Sequence, residues 1–336
     1  MTKRKARPLT EQEAMVAQFA NFSVSASATF HPKLWRNGRE PADMIVVIGR
    51  AMLFVNMTAG RSYFDDLAKH NIEQAEGRIR DWQGGLSIKG KNAFRDFSID
   101  YNDIDAIAVV SVVSGPYAAC CDHPLPGLSL PPKARLCTSL TTDVVEEIAK
   151  RGGGARDIID LCKTLVGQGQ VSQDAMLDRV RSRHAQLVNT AKAQIILEPQ
   201  SMGQAMIAKR PVTWFEEFVH KLILPRGLDN VGLSFIADLD WSEVYNTAAF
   251  ITRTAASMEY VVISEPIRWS EFGRTRKFGV IVSCDSKRLA SQMNEYISLA
   301  EKREWRFTYV VSLSDIGPME LFSFKEGSKL MIETEL

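Results

Sequence analysis

The chain has 336 residues, 45% hydrophobic and 24% charged, with 41 Lys and Arg against 40 Asp and Glu. Such a length fits one large core or, more commonly, two ordinary lobes, and 21 Gly and 13 Pro are too few for a fibrous or disordered chain. A formal net charge of +1 argues against a dedicated DNA coat, so any grip on phosphates must come from a local patch.

The amino-terminal MTKRKARPLT is basic but leads into no apolar core of signal-peptide length. No window approaches the roughly 18 apolar residues of a membrane span, so a cytoplasmic protein without a membrane partner is expected. Five cysteines, an odd number with no export signal, point to reduced thiols. The cluster Lys3, Arg4, Lys5 and Arg7 reads as a solvated terminus.

Residues 10–20 place Met15, Val16 and Phe19 at helical spacing after a Thr10/Glu13 capping box, which predicts a first helix. The run from Asp43 to Ile48, the pair Gly49-Arg50 and the run Ala51–Asn56 predict two strands joined by a two-residue hairpin. Residues 65–82 carry Leu67, Ile72, Ala75, Ile79 and Trp82 on one side of a helix, and Ile104–Val113 has the composition of a buried strand. Residues 114–135 hold five of the 13 prolines and are expected to form a surface loop.

From about 140 to 224 the pattern is helical, with Gly152–Gly154 and Gly167–Gly169 as breaks and Thr213 as a cap before Trp214–Leu224. Strands return at Gly232–Ala237, Tyr260–Ile263, Phe278–Cys284 and Phe307–Leu313, with helices near 241–257 and 285–303. The expected class is α/β: a mixed central sheet flanked by helices, a helical middle segment and a second α+β lobe. The corresponding boundaries are 1–139, 140–225 and 226–336, or else one fold with a long helical insertion.

A metal-dependent phosphodiesterase built on adjacent antiparallel strands needs carboxylate oxygens for Mg²⁺ and a lysine to orient the attacking water. The text for this is an acidic residue opening one strand, a tight turn, then Asp/Glu-x-Lys on the next. Here Asp43 opens the first strand, Gly49-Arg50 turns it, and the Asp/Glu and Lys positions fall on Asn56 and Thr58. The following helix adds His70, Gln74 and Arg78 at i, i+4 and i+8, a polar stripe on one face.

The set Trp35, Gly38-Arg-Glu40-Pro-Ala-Asp43, Gly49, Leu53-Phe-Val-Asn56-Met-Thr58 and Gln74-Ala-Glu-Gly77-Arg78 resembles a bacterial group of PD-(D/E)xK, restriction-endonuclease-like proteins. The resemblance covers about 30–115. It continues more loosely through the Ala155–Leu161 helix and the stretch from Arg276 past Leu289 to Tyr296.

The resemblance implies a restriction-endonuclease-like core, nucleic acid as ligand, Mg²⁺ in active members, and a setting in bacterial defence or mobile elements. Asp43, Asn56, Thr58 and Gln74 then stand at the catalytic motif positions. Asn56 offers one neutral oxygen and Thr58 no cation, so a degraded site, a pseudoenzyme without cofactor, is the expectation. An active Mg²⁺ enzyme would use Asp43, Asn56 and Glu13 as its metal shell and a lysine relocated from elsewhere, such as Lys69, Lys89 or Lys91. The third expectation is an interaction subunit with a protein partner or a second copy of itself.

For nucleic acid, His70 and Arg78 are the contacts beside the site. Arg274, Arg276 and Lys277, near Trp269 and Phe272, form a second basic segment. Cys120, Cys121 and His123 with Cys137 lack paired CxxC spacing and are read as packing residues rather than a zinc site. Gly152–Gly154 lacks the Gly-Lys-Ser/Thr of a phosphate loop. His184 and His220 have no acidic partner at helix-face spacing.

Overall fold

The computed structural model describes residues 25–60, 62–115, 119–194, 237, 239–246, 278–283, 307–312 and 320–325. The expected first helix at 10–20, Trp214–Leu224, Tyr260–Ile263 and the helix at 285–303 lie outside them. The chain divides into two compact units, Met1–Arg183 and His184–Leu336.

The first unit is built on a mixed nine-stranded sheet. Its strands are β1 (Thr29–Pro32), β2 (Met44–Ile48), β3 (Ala51–Ala59), β4 (Ile88–Lys91), β5 (Asp96–Ile99), β6 (Ala106–Ser114), β7 (Ala119–Asp122), β8 (Ala134–Thr141) and β9 (Gln170–Ser172). The spatial order is β5-β4-β1-β2-β3-β6-β8-β7-β9. The centre, β3-β6-β8, is parallel, and both wings are antiparallel.

The hairpin forms as its sequence predicts: Ile48 pairs with Ala51, and Gly49 takes the turn at φ 61, a conformation that costs an L side chain energy. Helix α1 (Phe64–Gln83) then crosses from β3 to the parallel β6, as a parallel pair requires. Its stripe of Ile72, Ala75, Ile79 and Trp82 packs on Phe30, Ile45, Phe54, Ile107 and Val109. The Trp82 indole N–H, buried, donates to the Ile99 carbonyl at 3.1 Å, which ties the helix end to the short β5.

Residues Ala106–Val113 of β6 are all buried, so both faces of the sheet centre are covered. Helices α2 (Thr142–Lys150) and α3 (Ala155–Lys163) follow β8 and pack against it. Thr141 Oγ1 caps α2 by accepting from Val144 N, and Asp157 Oδ2 closes the start of α3 by accepting from Gly154 N at 3.0 Å.

Two sequence expectations are corrected. The proline-rich 114–135 segment carries strand β7 and leads straight into β8. Cys120 and Cys121 are buried there, and the expected loop is confined to the residues between. The stretch from 140 begins inside β8, and the helices from 142 to 194, ending in α4 (Gln173–Gln194), are interrupted by β9. Glycines at 167 and 169 with φ 74 and 67 turn the chain into this strand rather than merely breaking a helix.

In the second unit, β10 (Phe278–Ser283) pairs parallel with β11 (Phe307–Ser312), which pairs antiparallel with β12 (Glu320–Lys325). The first two occupy the expected positions; β12 has no counterpart in the sequence reading. Residues 241–246 are helical, and the His184 ring lies 2.9 Å from the Tyr245 hydroxyl and edge-on to Trp241. Among the described residues, no helix is long and apolar enough to cross a membrane.

Candidate functional site

Asp43, Asn56 and Thr58 meet at one end of the hairpin. The half-buried Asp43 Oδ2 accepts from Met57 N at 2.5 Å, so its carboxylate is held against the backbone between the other two residues. The Asp43 carbonyl lies 2.6 Å from His31 Nδ1.

Asn56 and Thr58, two apart on β3, project to the same face, and both reach Asn71 of α1. Thr58 Oγ1 donates to Asn71 Oδ1 at 2.5 Å, and Asn56 Nδ2 donates to the Asn71 carbonyl at 3.0 Å. Asn71 Nδ2 donates to Ser111 Oγ of β6 at 2.8 Å and, at 3.4 Å, to the Asn56 carbonyl. Asn56, Asn71 and Ser111 are buried. The four residues thus carry uncharged side chains and are hydrogen-bonded to one another, as buried polar groups need partners.

Asn71 escaped the sequence reading, yet its signal was present. It stands three residues after Ala68 and four before Ala75, both fully buried, so it interrupts the apolar stripe of α1. Ser111 interrupts the apolar run of β6 in the same way. A polar residue inside such a pattern has to find a partner, and these two find each other.

The expected helix stripe lies elsewhere. His70 and Gln74 are exposed and bond each other at 2.8 Å, while Arg78 is half-buried. None of the three shares in the Asn71 cluster. Glu13, Arg274, Arg276 and Lys277 lie outside the described residues.

The sites proposed for a relocated lysine are accounted for. Lys69 stands 3.9 Å from Glu73 on the exposed side of α1, and Lys89 and Lys91 project from the exposed face of β4. As a Mg²⁺ shell the described residues offer one carboxylate, Asp43, and one amide oxygen, Asn56. Mg²⁺ demands a near-octahedral set of oxygens, and among the described residues no three His, Cys, Asp or Glu stand together as metal ligands. Among the described residues, Asp43 and Asn56 alone do not make such a set.

The polar row continues across the sheet. Asn56, Ser111, Ser139, Cys121 and Gln170 are register neighbours on β3, β6, β8, β7 and β9. His123 Nε2 stands 2.7 Å from Ser139 Oγ and 3.2 Å from Cys121 Sγ. Burial pushes the Cys120 thiol up to about 11 and Cys121 to about 12, and it lowers His123 from its usual value. Fully buried Ser139 offers no surface to a substrate. At the end of the row, Gln170 Nε2 donates to Asp65 Oδ1 of α1 at 2.5 Å.

Comparison with protein-family models, curated proteins and solved structures gives no match. The class defined by the fold is therefore the general one: an α/β protein with a mixed nine-stranded sheet and flanking helices.

Proposed function

We propose that the first unit is a restriction-endonuclease-like core that has given up cleavage and serves as a nucleic-acid-binding pseudoenzyme. The single observation that carries this reading is what the two lost motif positions do. Asn56 and Thr58 are both tied to Asn71, so the side chains at the second acidic and the lysine positions are engaged in fastening a helix. The frame around them supports the ancestry: an acid opening β2, a tight turn, the motif strand β3, and a helix leading on to β6. A catalytic lysine relocated to Lys69, Lys89 or Lys91 is disfavoured by their positions on exposed faces.

Two assays test it together. With Mg²⁺ or Mn²⁺, supercoiled and single-stranded DNA are expected to stay intact while salt-sensitive binding persists. Cleavage that disappears in Asp43→Ala overturns the reading and restores an active enzyme.

A further inference from the structure

Strand alternation gives β1 and β4 two unlike faces. Burial runs buried, buried, exposed, buried along Thr29–Pro32 and buried, exposed, buried, exposed along Ile88–Lys91. Phe30 and Ile88 belong to the core beneath α1. His31, Lys89 and Lys91 therefore stand on the opposite, exposed face.

These residues form a block. His31 is in register with Lys91, and the ladder continues with Lys33 N donating to the Lys89 carbonyl at 2.6 Å, which sets exposed Lys33 level with Lys89. Lysines two apart on one strand are spaced by about 6.6–6.8 Å, and cross-strand neighbours by about 5 Å. Asp96 is the register partner of Lys91 on β5. Yet among the described residues no carboxylate forms an ion pair with Lys33, Lys89 or Lys91, unlike Lys69, Lys150 and Lys163.

Like charges facing each other across a ladder destabilise it. Lys33 and Lys89 face each other in this way, and a face that keeps them is explained by a ligand that neutralises them. The lysines are regularly spaced, with Asp96 of β5 beside Lys91 at one edge, and such a row suits a polymer with a repeated negative charge.

We propose that this face, carried by Lys33, Lys89 and Lys91 with His31, holds the phosphate backbone of a nucleic acid. The inference rests on the nucleic-acid-binding reading above and moves the contact from the His70–Arg78 stripe of α1 to the other side of the sheet.

The test is fluorescence anisotropy of the full chain with a short labelled single-stranded DNA, the same DNA as duplex, and the matching RNA, each over a salt series. In the triple variant K33A/K89A/K91A the affinity is expected to fall at least about tenfold and the salt dependence of log affinity on duplex to lose about 2–3 in slope. K33R/K89R/K91R is expected to keep both, because a phosphate contact needs the charge rather than the lysine shape. The melting profile of each variant guards against a folding defect.

Unchanged affinity and slope in the alanine variant overturn this face while leaving the nucleic-acid reading in place. Failure of the unmodified chain to bind any of the three nucleic acids overturns both. Binding to phosphatidylserine vesicles in place of nucleic acid, abolished by the alanine variant, overturns the assignment in favour of an anionic lipid surface.

Discussion

Two polar regions of the first unit are built in opposite ways. Beneath α1, Asn56, Thr58, Asn71 and Ser111 are neutral, closely packed and bonded to one another. On the outer face of β1 and β4, three lysines and a histidine are exposed in a block. The first region spends its polarity inside the protein; the second keeps it for something outside. On the proposed reading, a motif strand has lost its chemistry and become a fastening for a helix, while binding capacity sits on a face outside the motif.

The strongest way to break that contrast is to remove Asn71. Asn71→Leu leaves the buried Ser111 hydroxyl without the Asn71 amide and removes one bond of the half-buried Thr58 hydroxyl, a combined cost of about 1.5–4 kcal/mol. Urea unfolding measures this directly. A loss below about 1 kcal/mol would show that the cluster is not a fastening.

The platform beneath the lysines is the next target. A Cβ on Gly90 would lie 2.2 Å from Phe30 Cδ2, and that ring is buried and stacked on Phe97 at 4.1 Å between centroids. Gly90→Ala is therefore expected to cost about 1–3 kcal/mol through forced repacking, and to weaken nucleic-acid binding by disturbing β4. Thermal unfolding that matches the parent chain would sever the link between this core and the face it carries.

The smallest effect lies at the far end of the polar row. Burial, the dominant cause, holds His123 below its ordinary 6.5, against the opposing charges of Asp122 and Asp65. The unfolded chain then takes up the proton first. The contribution of His123 to stability is complete above pH 6.5 and is lost as pH falls through the lower folded value. His123→Gln should flatten that acid limb in a series of denaturation curves. An acid limb of the same steepness in the variant would mean that another group governs it.

Legibility in the sequence followed the range of the interactions. The β2–β3 hairpin and α1 were readable because Gly49-Arg50 and the spacing of Ile72, Ala75, Ile79 and Trp82 act within a few residues. The short strands β1, β4, β5, β7 and β9 were not. Each is three or four residues long, too brief for a periodic signal, and exists because a distant strand supplies its hydrogen bonds. Prolines in 114–135 suggested a loop, but burial of Cys120 and Cys121 between β8 and β9 outweighs that local preference.

The same division holds for the site. Sequence alone determined that the motif strand carries Asn56 and Thr58, and no packing can give Thr58 a charge. Only the tertiary structure decided that Asn71, rather than Gln74, meets them, and that Lys33, Lys89 and Lys91 share one exposed face. Side-chain direction on a strand alternates with every residue, so the face a lysine occupies depends on register, and register is set by partners far away in the chain.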